Sequence, residues 1–386
     1  MTGTSCDAAD LALLQLKIKT KSIEERLVAT ETRNFPVALR TRLREAQQGK
    51  ITAPKAALLG RDYSRWVAQF CKERLGSWNM LEKPLVIAIH GQTIWHDPQN
   101  FISLQIVDPT ILSYETGCTV TSFFRQPDLA RRGQGAPLVP YYHWLRANSS
   151  QRYRKLLPFA IHNVGGIANL TYITGASEQL IAFDTGPGNA LIDLAVEQLT
   201  GGSKKFDHSG KIAAGVLGSI RWDDIRKLGR HRYFVEKPPK STGRELFNED
   251  FLRKLPGKGA VRVAHATAFS AHTMAAAYHR FVLHGNNRLQ KILIAGGGSR
   301  NPVLMQLFRQ ELERMTGRNI PVEPLADDFA PAQYLEAMAF ARLGLNALTG
   351  KPVSLAQVTG AAEDGSGAGI FPGKNFKRLL DAARLL

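Results

Sequence analysis

The spacing of apolar positions predicts strands and helices in alternation along the first half of the chain. Residues 9–17 (ADLALLQLK) alternate between apolar and polar like a half-buried strand, and residues 26–35 (RLVATETRNF) are a candidate partner strand. Residues 53–76 have helical spacing and end at a glycine, and residues 84–91 (PLVIAIHG) form the apolar run typical of a buried strand. A short helix is expected within residues 108–117, started by Asp-Pro and ended by glycine.

The second half repeats this alternation. Residues 156–174 indicate two strands around a glycine turn, and a long helix is predicted at about 261–283. Residues 291–312 (KILIAGGGSRNPVLMQLFRQEL) predict a strand, a glycine turn and a helix, and residues 331–350 predict the last clear helix. The whole pattern is that of an α/β protein.

The length of 386 residues is too great for one ordinary core and predicts two domains. MTGTSCDAADLALL and HNVGGIANLTYI, about 160 residues apart, each place a turn of small residues ahead of an alternating strand. Two similar domains would present such hairpin loops to a cleft between them. We predict an N-terminal domain over residues 1–140 and a C-terminal domain over 141–386, whose tail could pack back on the first.

Composition excludes several classes of protein. The hydrophobic fraction of 44% and the charged fraction of 22% are those of a folded protein. No apolar run approaches the roughly 20 residues that span a bilayer, and the N-terminus lacks the pattern of a secretory signal. Cys6, Cys71 and Cys118 are widely spaced and fit free thiols in a reducing compartment. We therefore expect a cytoplasmic protein with no membrane partner.

The charge of the chain favours an anionic ligand. Its 50 Lys and Arg against 33 Asp and Glu give a formal net charge of +17. The basic residues are scattered, which favours a solvated basic surface over a nucleic-acid groove, and the same field would attract a nucleotide. We expect no nucleic-acid partner, although a basic nucleic-acid-binding protein stays open as an alternative.

The stretch FDTGPGN, residues 183–189, places Asp184 after an apolar run and before residues that form turns. QLIAF before it predicts a strand, and NALIDLAVEQL after it predicts a helix. Asp184 is therefore expected at the carboxyl end of a strand beside a helix N-terminus, where α/β sheets commonly bind ligands. An aspartate that only caps this helix fits the stretch equally well.

Two further loops are rich in small residues. TGTSCD, from Thr2 to Asp7, offers backbone N–H groups and hydroxyls that could bond phosphate oxygens, and Asp7 could hold Mg²⁺ through a water. AGGGSRN, from Ala295 to Asn301, would let the backbone lie against a base or ribose. Neither matches the P-loop or the dinucleotide fingerprint. Three such loops, each beside an apolar run, favour nucleotide binding.

Together these stretches resemble the anhydro-N-acetylmuramic acid kinases, in the family's order and over nearly the whole chain. The resemblance implies the duplicated RNase H-like fold of the actin and hexokinase superfamily, with two domains closing over ATP. It also implies hydrolytic opening of the anhydro bridge of 1,6-anhydro-N-acetylmuramic acid with phosphorylation to N-acetylmuramic acid 6-phosphate, and a homodimer. The matching motifs are MTGTSCDAAD, HGQTIWH, GQGAPLVP, NVGGIANLT, FDTGPGN, PPKSTGRELFN, AGGGSRNP and LEAMAFA.

The resemblance assigns roles to individual residues. Asp184 would be the general base that takes a proton from the attacking water, a role suited to a carboxylate ionised at neutral pH. ATP with Mg²⁺ would bind at two phosphate loops and an adenosine wall, and the sugar would contact two further side chains. These positions are Gly3, Thr4, Ser5, Cys6, Asp7, Ala8, Ala9 and Asp10; Asn163, Gly165 and Gly166; Gly296, Gly297 and Gly298; and, for the sugar, Thr93 and Glu336.

Other interpretations of single residues stay open. Thr93 could cap a turn and Glu336 could lie on a solvated helix face. His90 and His96 have no third ligand at metal spacing and are interpreted as structural or substrate-orienting residues.

The chain also departs from the family's pattern. Phe123, Gln333 and Tyr334 stand where acids are usual, and Ala8 stands where glycine is usual. A strand upstream of Met1 is expected, because the family has one before its first phosphate loop. A degenerate family member that binds nucleotide or sugar without efficient turnover is the alternative function.

Overall fold

The computed structural model of the chain describes residues 1–2, 6–19, 22–79, 86–284 and 288–383. Strands and helices are numbered here in chain order. The strands are β1 (Ala8–Lys19), β2 (Ser22–Asn34), β3 (Val86–Ala88), β4 (Gln92–Asp97), β5 (Ile102–Ile106), β6 (Thr119–Ser122), β7 (Phe159–Val164), β8 (Ile167–Ile173), β9 (Ile181–Pro187), β10 (Lys291–Ala295), β11 (Val322–Pro324) and β12 (Gly369–Phe371).

The helices are interspersed with the strands, in agreement with the predicted α/β class, although the described residues between 188 and 290 contain helices and no strand. They are α1 (Val37–Gln47), α2 (Ala53–Ser77), α3 (Pro109–Thr116), α4 (Gln126–Ala130), α5 (Val139–Ser149), α6 (Gln151–Arg154), α7 (Ala190–Thr200), α8 (Lys211–Ala214), α9 (Trp222–Leu228), α10 (Arg232–Val235), α11 (Glu249–Arg253), α12 (Ala260–Ala277), α13 (Pro302–Thr316), α14 (Leu335–Leu348), α15 (Ala356–Thr359) and α16 (Phe376–Ala383). None of the helices in the described ranges is both long and apolar enough to cross a membrane.

The chain divides into two compact units. Unit 1 comprises Met1–Ser150 and Ala330–Leu386, and unit 2 comprises Gln151–Phe329. The chain therefore passes from unit 1 to unit 2 after Ser150 and returns to unit 1 at Ala330, so its C-terminal segment belongs to unit 1. The sequence-based boundary at 140/141, as a statement about functional domains, stays a prediction.

Unit 1 is built on a long hairpin and a small sheet. β1 and β2 pair antiparallel, with a bulge at Leu13/Leu14, which confirms the predicted pairing. β6 lies between β3, to which it is parallel, and β12, to which it is antiparallel. Helix α2 buries Tyr63, Val67 and Phe70, which its helical period places on one face. The core of unit 1 forms against that face.

Local capping explains the predicted short helix of unit 1. The side chain of Asp108 accepts hydrogen bonds from the amides of Thr110 and Ile111 at the start of α3. Gly117 ends the helix with φ of 70°, a left-handed conformation that glycine adopts without strain. The prediction of a helix between these residues is confirmed.

Unit 2 contains one five-stranded mixed sheet. Its strand order is β11-β10-β7-β8-β9. Strands β7, β8 and β9 form an antiparallel meander, and β10 pairs in parallel with both β7 and β11. α12 packs on this sheet and buries all its residues from Val263 to Ala277, and α13 and α7 pack beside it. This sheet positions three of the candidate loops, because those loops follow β7, β9 and β10.

Candidate active site

Asp184 lies within strand β9 of unit 2, opposite Asn169 of β8. The prediction that Asp184 stands at the carboxyl end of the strand, ahead of the turn, is wrong. β8 continues beside the glycine-rich stretch and pairs Ile167 with Pro187, so the strand extends to Pro187. Helix α7 begins only at Ala190.

Asp184 does not cap helix α7. The N-cap residue of that helix is Asn189. The carboxylate of Asp184 instead accepts a hydrogen bond at Oδ2 from the backbone N–H of Thr242, at 3.0 Å. The helix-cap interpretation is therefore wrong, and the side chain is held by a segment that lies far away in sequence.

The surroundings of Asp184 disfavour its charge. Burial raises the pKa of its carboxyl from 3.8 to about 6, and the negative charge of Glu245 adds to this effect. The N–H of Thr242 acts in the opposite direction because it stabilises the ionised form. At neutral pH Asp184 is thus mostly ionised, with a pKa close enough to neutrality for proton transfer.

The turn between β7 and β8 carries Asn163, Gly165 and Gly166 and lies against the end of the FDTGPGN stretch. The carbonyl of Gly165 accepts a hydrogen bond from the amide of Asn189, and that of Gly166 accepts one from Gly188. A side chain on Gly188 would put its Cβ 2.3 Å from the carbonyl oxygen of Gly165. Only glycine allows these two backbones to approach so closely.

The glycine turn after β10 meets the same region. Gly296 has φ of 82°, and a Cβ there would lie 2.6 Å from Oδ1 of Asn163 and 2.7 Å from the carbonyl oxygen of Val164. Gly298 also packs against Val164, whereas a Cβ on Gly297 would meet no atom within 4 Å. Unit 2 thus brings together the turn predicted to bind phosphate and the turn predicted to line the adenosine pocket, and Gly297 borders open space.

A cavity of about 510 Å³ lies beside this turn. Gly297 and Arg300 form part of its lining, together with Asn189, Asp193 and the exposed ring of Phe206. Most of the side chains that line the cavity are polar, and Ile192 and the ring of Phe206 supply its apolar surface. Phe206 was not predicted as a site residue, since a single aromatic in a polar loop carries no signal.

The first of the two predicted phosphate loops belongs to unit 1 and is only partly described, because Gly3, Thr4 and Ser5 lie outside the described residues. Cys6 is buried with φ of 54°, and Ala8 and Ala9 begin β1. Asp10 pairs with Met1 through backbone hydrogen bonds. Among these residues the structure brings Asp7 and Asp10 to the start of the hairpin.

The carboxylates at this loop differ in their fitness for Mg²⁺, and the ranges described contain no cluster of three metal-ligating side chains. Asp7 is half exposed and forms an ion pair with Arg44 at 2.8 Å. Asp10 accepts a hydrogen bond from the hydroxyl of Thr32 at 2.5 Å and has no described arginine within ion-pair distance. Since Mg²⁺ needs only one or two carboxylates beside phosphates and waters, Asp10 fits it better than Asp7.

The predicted sugar residues also lie in unit 1. Thr93 is in strand β4, where Gln105 donates to its hydroxyl, so it does not cap a turn. Glu336 is at the start of α14 and is exposed, yet protein atoms around it raise the pKa of its carboxyl.

Arg125 is a candidate site residue that sequence reasoning missed. Its Nε donates to Nε2 of His90 at 2.9 Å, while Nδ1 of His90 faces the carbonyl of Gly91. His90 is therefore neutral, and burial holds its pKa well below the usual value. Burial also lowers the pKa of Arg125 to about 10, and Glu336 is the acid that opposes this shift most. The sequence places these residues far apart, so no local pattern joins them.

Residues that depart from the family's pattern have partners of their own. Gln333 and Tyr334 both contact the hydroxyl of Thr32, at 2.8 and 3.2 Å. Phe123 packs on the ring of Phe371. These side chains are integrated into unit 1.

Arg244 and its neighbours were also missed as site residues, although they lie in the PPKSTGRE motif. A methyl group on Gly166 would lie 3.7 Å from Nη2 of Arg244, so this exposed guanidinium borders the second phosphate loop. Arg244 also opposes the burial effect that raises the pKa of Asp193. The motif indicated the family resemblance, but the sequence did not show which loop the motif would contact.

The α/β architecture, with glycine turns beside a mostly buried carboxylate, is consistent with an α/β sugar-kinase fold. A sequence model of the family "Anhydro-N-acetylmuramic acid kinase" matches residues 1–373. The chain is 33% identical over 385 residues to the anhydro-N-acetylmuramic acid kinase of Synechococcus sp. (strain WH7803), with 94% of this chain and 96% of the relative covered. It is 35% identical over 396 residues to that of Acidithiobacillus ferrooxidans, covering 98% and 93%. The chain belongs to the anhydro-N-acetylmuramic acid kinase family.

Proposed function

We propose that the chain is an ATP-dependent kinase that hydrolytically opens 1,6-anhydro-N-acetylmuramic acid and phosphorylates it to N-acetylmuramic acid 6-phosphate. The observation that carries this proposal is the environment of Asp184. One carboxylate oxygen is held by the N–H of Thr242, and no described residue donates to the other oxygen. With a pKa of about 6, the free oxygen can orient a water and accept its proton.

In the proposed reaction Asp184 takes a proton from the water that attacks the anomeric carbon. A new C–O bond forms there and the bond from that carbon to the bridging oxygen breaks. The bridging oxygen, still attached to the six-position carbon, attacks the γ-phosphorus and ADP leaves. Phosphoryl transfer needs mainly positioning and charge stabilisation, which the glycine loops and Arg244 would supply.

ATP would bind along the loops of unit 2, with adenosine in the cavity beside Gly297. Support comes from the close packing of Gly188 and Gly296 against the turn between β7 and β8 and from the open space at Gly297. The loop from Gly3 to Asp10 in unit 1 is proposed to contribute phosphate contacts. Asp10 and, less favourably, Asp7 would hold Mg²⁺, whose charge would offset that of the phosphates.

The sugar is proposed to contact Thr93 and Glu336. Arg125 suits a substrate that carries a lactyl carboxylate, since its half-buried guanidinium lies beside neutral His90 and no described acid lies within ion-pair distance. A carboxylate ligand would give this half-buried cation a direct ion-pair partner.

The wider architecture is part of the same proposal. The order β11-β10-β7-β8-β9 in unit 2, with an antiparallel meander and two parallel strands, supports an RNase H-like domain. Duplication of that domain in unit 1, the boundary at 140/141, a homodimer, a cytoplasmic location and the absence of a nucleic-acid partner are expectations from the sequence. Catalytically inactive binding is not favoured, because Asp184 keeps a geometry suited to a base.

Replacing Asp184 tests the proposal. Asp184→Asn retains the shape and removes the proton acceptor, so turnover of the anhydro sugar should fall about 10²–10⁴-fold. ADP release with anhydro-N-acetylmuramic acid and ATP measures it, and ATP affinity should change little. Asp223→Asn, which changes an exposed aspartate of unit 2 outside the candidate site, is the control and should turn over like the parent. Turnover by Asp184→Asn within a few-fold of the parent, or rapid phosphorylation of glucose without reaction on the anhydro sugar, would contradict the proposal.

A further inference from the structure

Three hydrogen bonds join Asp184, Lys240 and Tyr233 in a closed ring within unit 2. The backbone N–H of Asp184 donates to the carbonyl of Lys240 at 3.2 Å. The ammonium of Lys240 donates to the carbonyl of Tyr233 at 2.8 Å, and the hydroxyl of Tyr233 donates to the carbonyl of Asp184 at 2.5 Å. Each residue thereby restrains the backbone of another.

The ammonium of Lys240 occupies an aromatic cage. It lies 4.6 Å from the ring centre of Phe281, 4.8 Å from that of Tyr233 and 5.4 Å from that of Phe183. The side chain is buried, and no described carboxylate lies within ion-pair distance of it. Burial lowers the pKa of Lys240 to about 8, with Glu236 acting to raise it and Arg280 to lower it. The rings replace the missing counter-ion through cation–π attraction.

If the side chain at position 240 only filled space, a lysine would destabilise the fold, because burying its charge costs desolvation free energy. Methionine or leucine would fill the cage without the cost of removing a charge from water. What lysine adds is a directed donor for the carbonyl of Tyr233. Thr242, whose N–H holds the carboxylate of Asp184, follows Lys240 by two positions, so anchoring Lys240 fixes that N–H.

We propose that Lys240 is a positioning residue for the reaction: its caged ammonium fixes residues 240–242 so that Thr242 N–H holds Oδ2 of Asp184 and Oδ1 is left for the attacking water. This inference rests on the proposed function, in which Asp184 is the base. Lys240 contacts neither water nor sugar in this role and acts only through Asp184.

The test compares Lys240→Met, Lys240→Arg and Lys237→Met in the full chain, by pH profiles of kcat with anhydro-N-acetylmuramic acid and ATP. Lys240→Met removes the donor and the charge, so kcat should fall about 10- to 100-fold through misplacement, with little change in KM. The acidic limb should move upward by about half a unit to one unit, because Asp184 loses the N–H that favours its ionised form. Lys240→Arg should restore most of both, since arginine also binds aromatic faces and donates. The exposed Lys237 is the matched control and should behave as the parent.

Two neighbouring groups influence the pKa of Asp184 and therefore the position of the acidic limb in the pH profile of kcat. Glu245 is the charged group that acts on the carboxyl of Asp184, and Tyr233 is the titratable neighbour on its backbone. Tyr233→Phe keeps the aromatic side chain in the cage but removes the hydrogen bond from residue 233 to the carbonyl of Asp184. It should shift the acidic limb of the pH profile in the same direction by a smaller amount, and it tests the proposal if Lys240→Met does not fold.

The outcomes separate this inference from the proposed function. An inactive Asp184→Asn together with an unmoved pH limb in Lys240→Met, or in Tyr233→Phe if Lys240→Met does not fold, would overturn the role of Lys240 alone. A fall in thermal stability without a moved limb would make Lys240 merely structural. Full activity of Asp184→Asn would overturn the proposed function itself.

Discussion

At the scale of single residues, the free-energy cost of ionising the mostly buried carboxyl of Asp184 links activity to stability. Its folded-state pKa of about 6 exceeds the ordinary 3.8 because the side chain is mostly buried. One pKa unit corresponds to about 1.4 kcal/mol, so the ionised carboxylate costs up to about 3 kcal/mol at neutral pH, less what partial exposure returns. The folded protein binds this proton more tightly than the unfolded chain. The contribution to stability is therefore present below pH 4 and is lost as the pH rises through about 6.

The first prediction follows from that sign. Asp184→Asn should be more stable than the parent at pH 7 to 8, by about 1–3 kcal/mol, because it removes the buried charge. The gain should shrink towards zero below about pH 4, where the aspartate is also neutral. Thermal unfolding of both proteins without ligands across this pH range measures it. Asp7→Asn removes an exposed, ion-paired carboxylate and should show no such gain. A destabilised Asp184→Asn at pH 8 would contradict the assigned environment.

The same group should control the rate. If Asp184 is the base, kcat should be constant near pH 8 and fall as the pH drops through about 6, approaching tenfold per unit. ATP binding measured by titration calorimetry should persist there, which separates loss of chemistry from loss of substrate. A kcat that is unchanged at pH 4.5 would exclude a base with this pKa.

The sequence marks Asp184 as a candidate base but contains no signal for the residues that surround it. FDTGPGN marks the aspartate through its own composition and through a family resemblance. Tyr233, Lys240 and Thr242 lie roughly 50 residues later and reach Asp184 only because the chain folds back on β9. Local periodicity contains no information on such contacts, and the same holds for Arg125 and His90.

At the scale of elements, the glycine turn after β10 shows what a periodic pattern can and cannot predict. The apolar run and the helical spacing of KILIAGGGSRNPVLMQ correctly predict a strand, a turn and a helix. Which glycine is required by packing depends on Asn163 and Val164 from another strand. The pattern alone therefore could not distinguish Gly296 from Gly297. The end of β9 was mispredicted for a related reason, since pairing with β8 outweighs the turn-forming residues.

The two neighbouring glycines give a matched pair of substitutions. Gly296→Ala should destabilise the protein by several kcal/mol, because its Cβ would overlap Asn163 and Val164 and φ is 82°. Gly297→Ala meets no protein atom within 4 Å and should leave the unfolding temperature nearly unchanged. If adenosine lies against this turn, Gly297→Ala should raise KM for ATP severalfold. An unchanged KM would place the nucleotide elsewhere.

At the scale of the whole molecule, the chain contains one continuous unit and one unit assembled from two distant segments. Residues 330–386 supply α14, which contacts β1, β3 and β6, and strand β12, which pairs with β6. Length alone predicts two domains, and the sequence analysis adds the expectation that the tail could pack back on the first. The position at which the chain leaves unit 1, between residues 150 and 151, depends on tertiary contacts. No change in amino-acid composition marks it in the sequence.

A truncated chain tests this division. Ending the chain after Phe329 removes α14 and β12, which uncovers the core of unit 1 and leaves the edge of β6 unpaired. In hydrogen exchange, amides of β6 and α2 should lose protection, while amides of β7 to β10 in unit 2 should keep most of theirs. A chain ending at Asn375 retains β12 and the bonds from Thr119 to Asn375, so its unit 1 should lose far less protection. Equal loss of protection in both units after the first truncation would show that they unfold as one body.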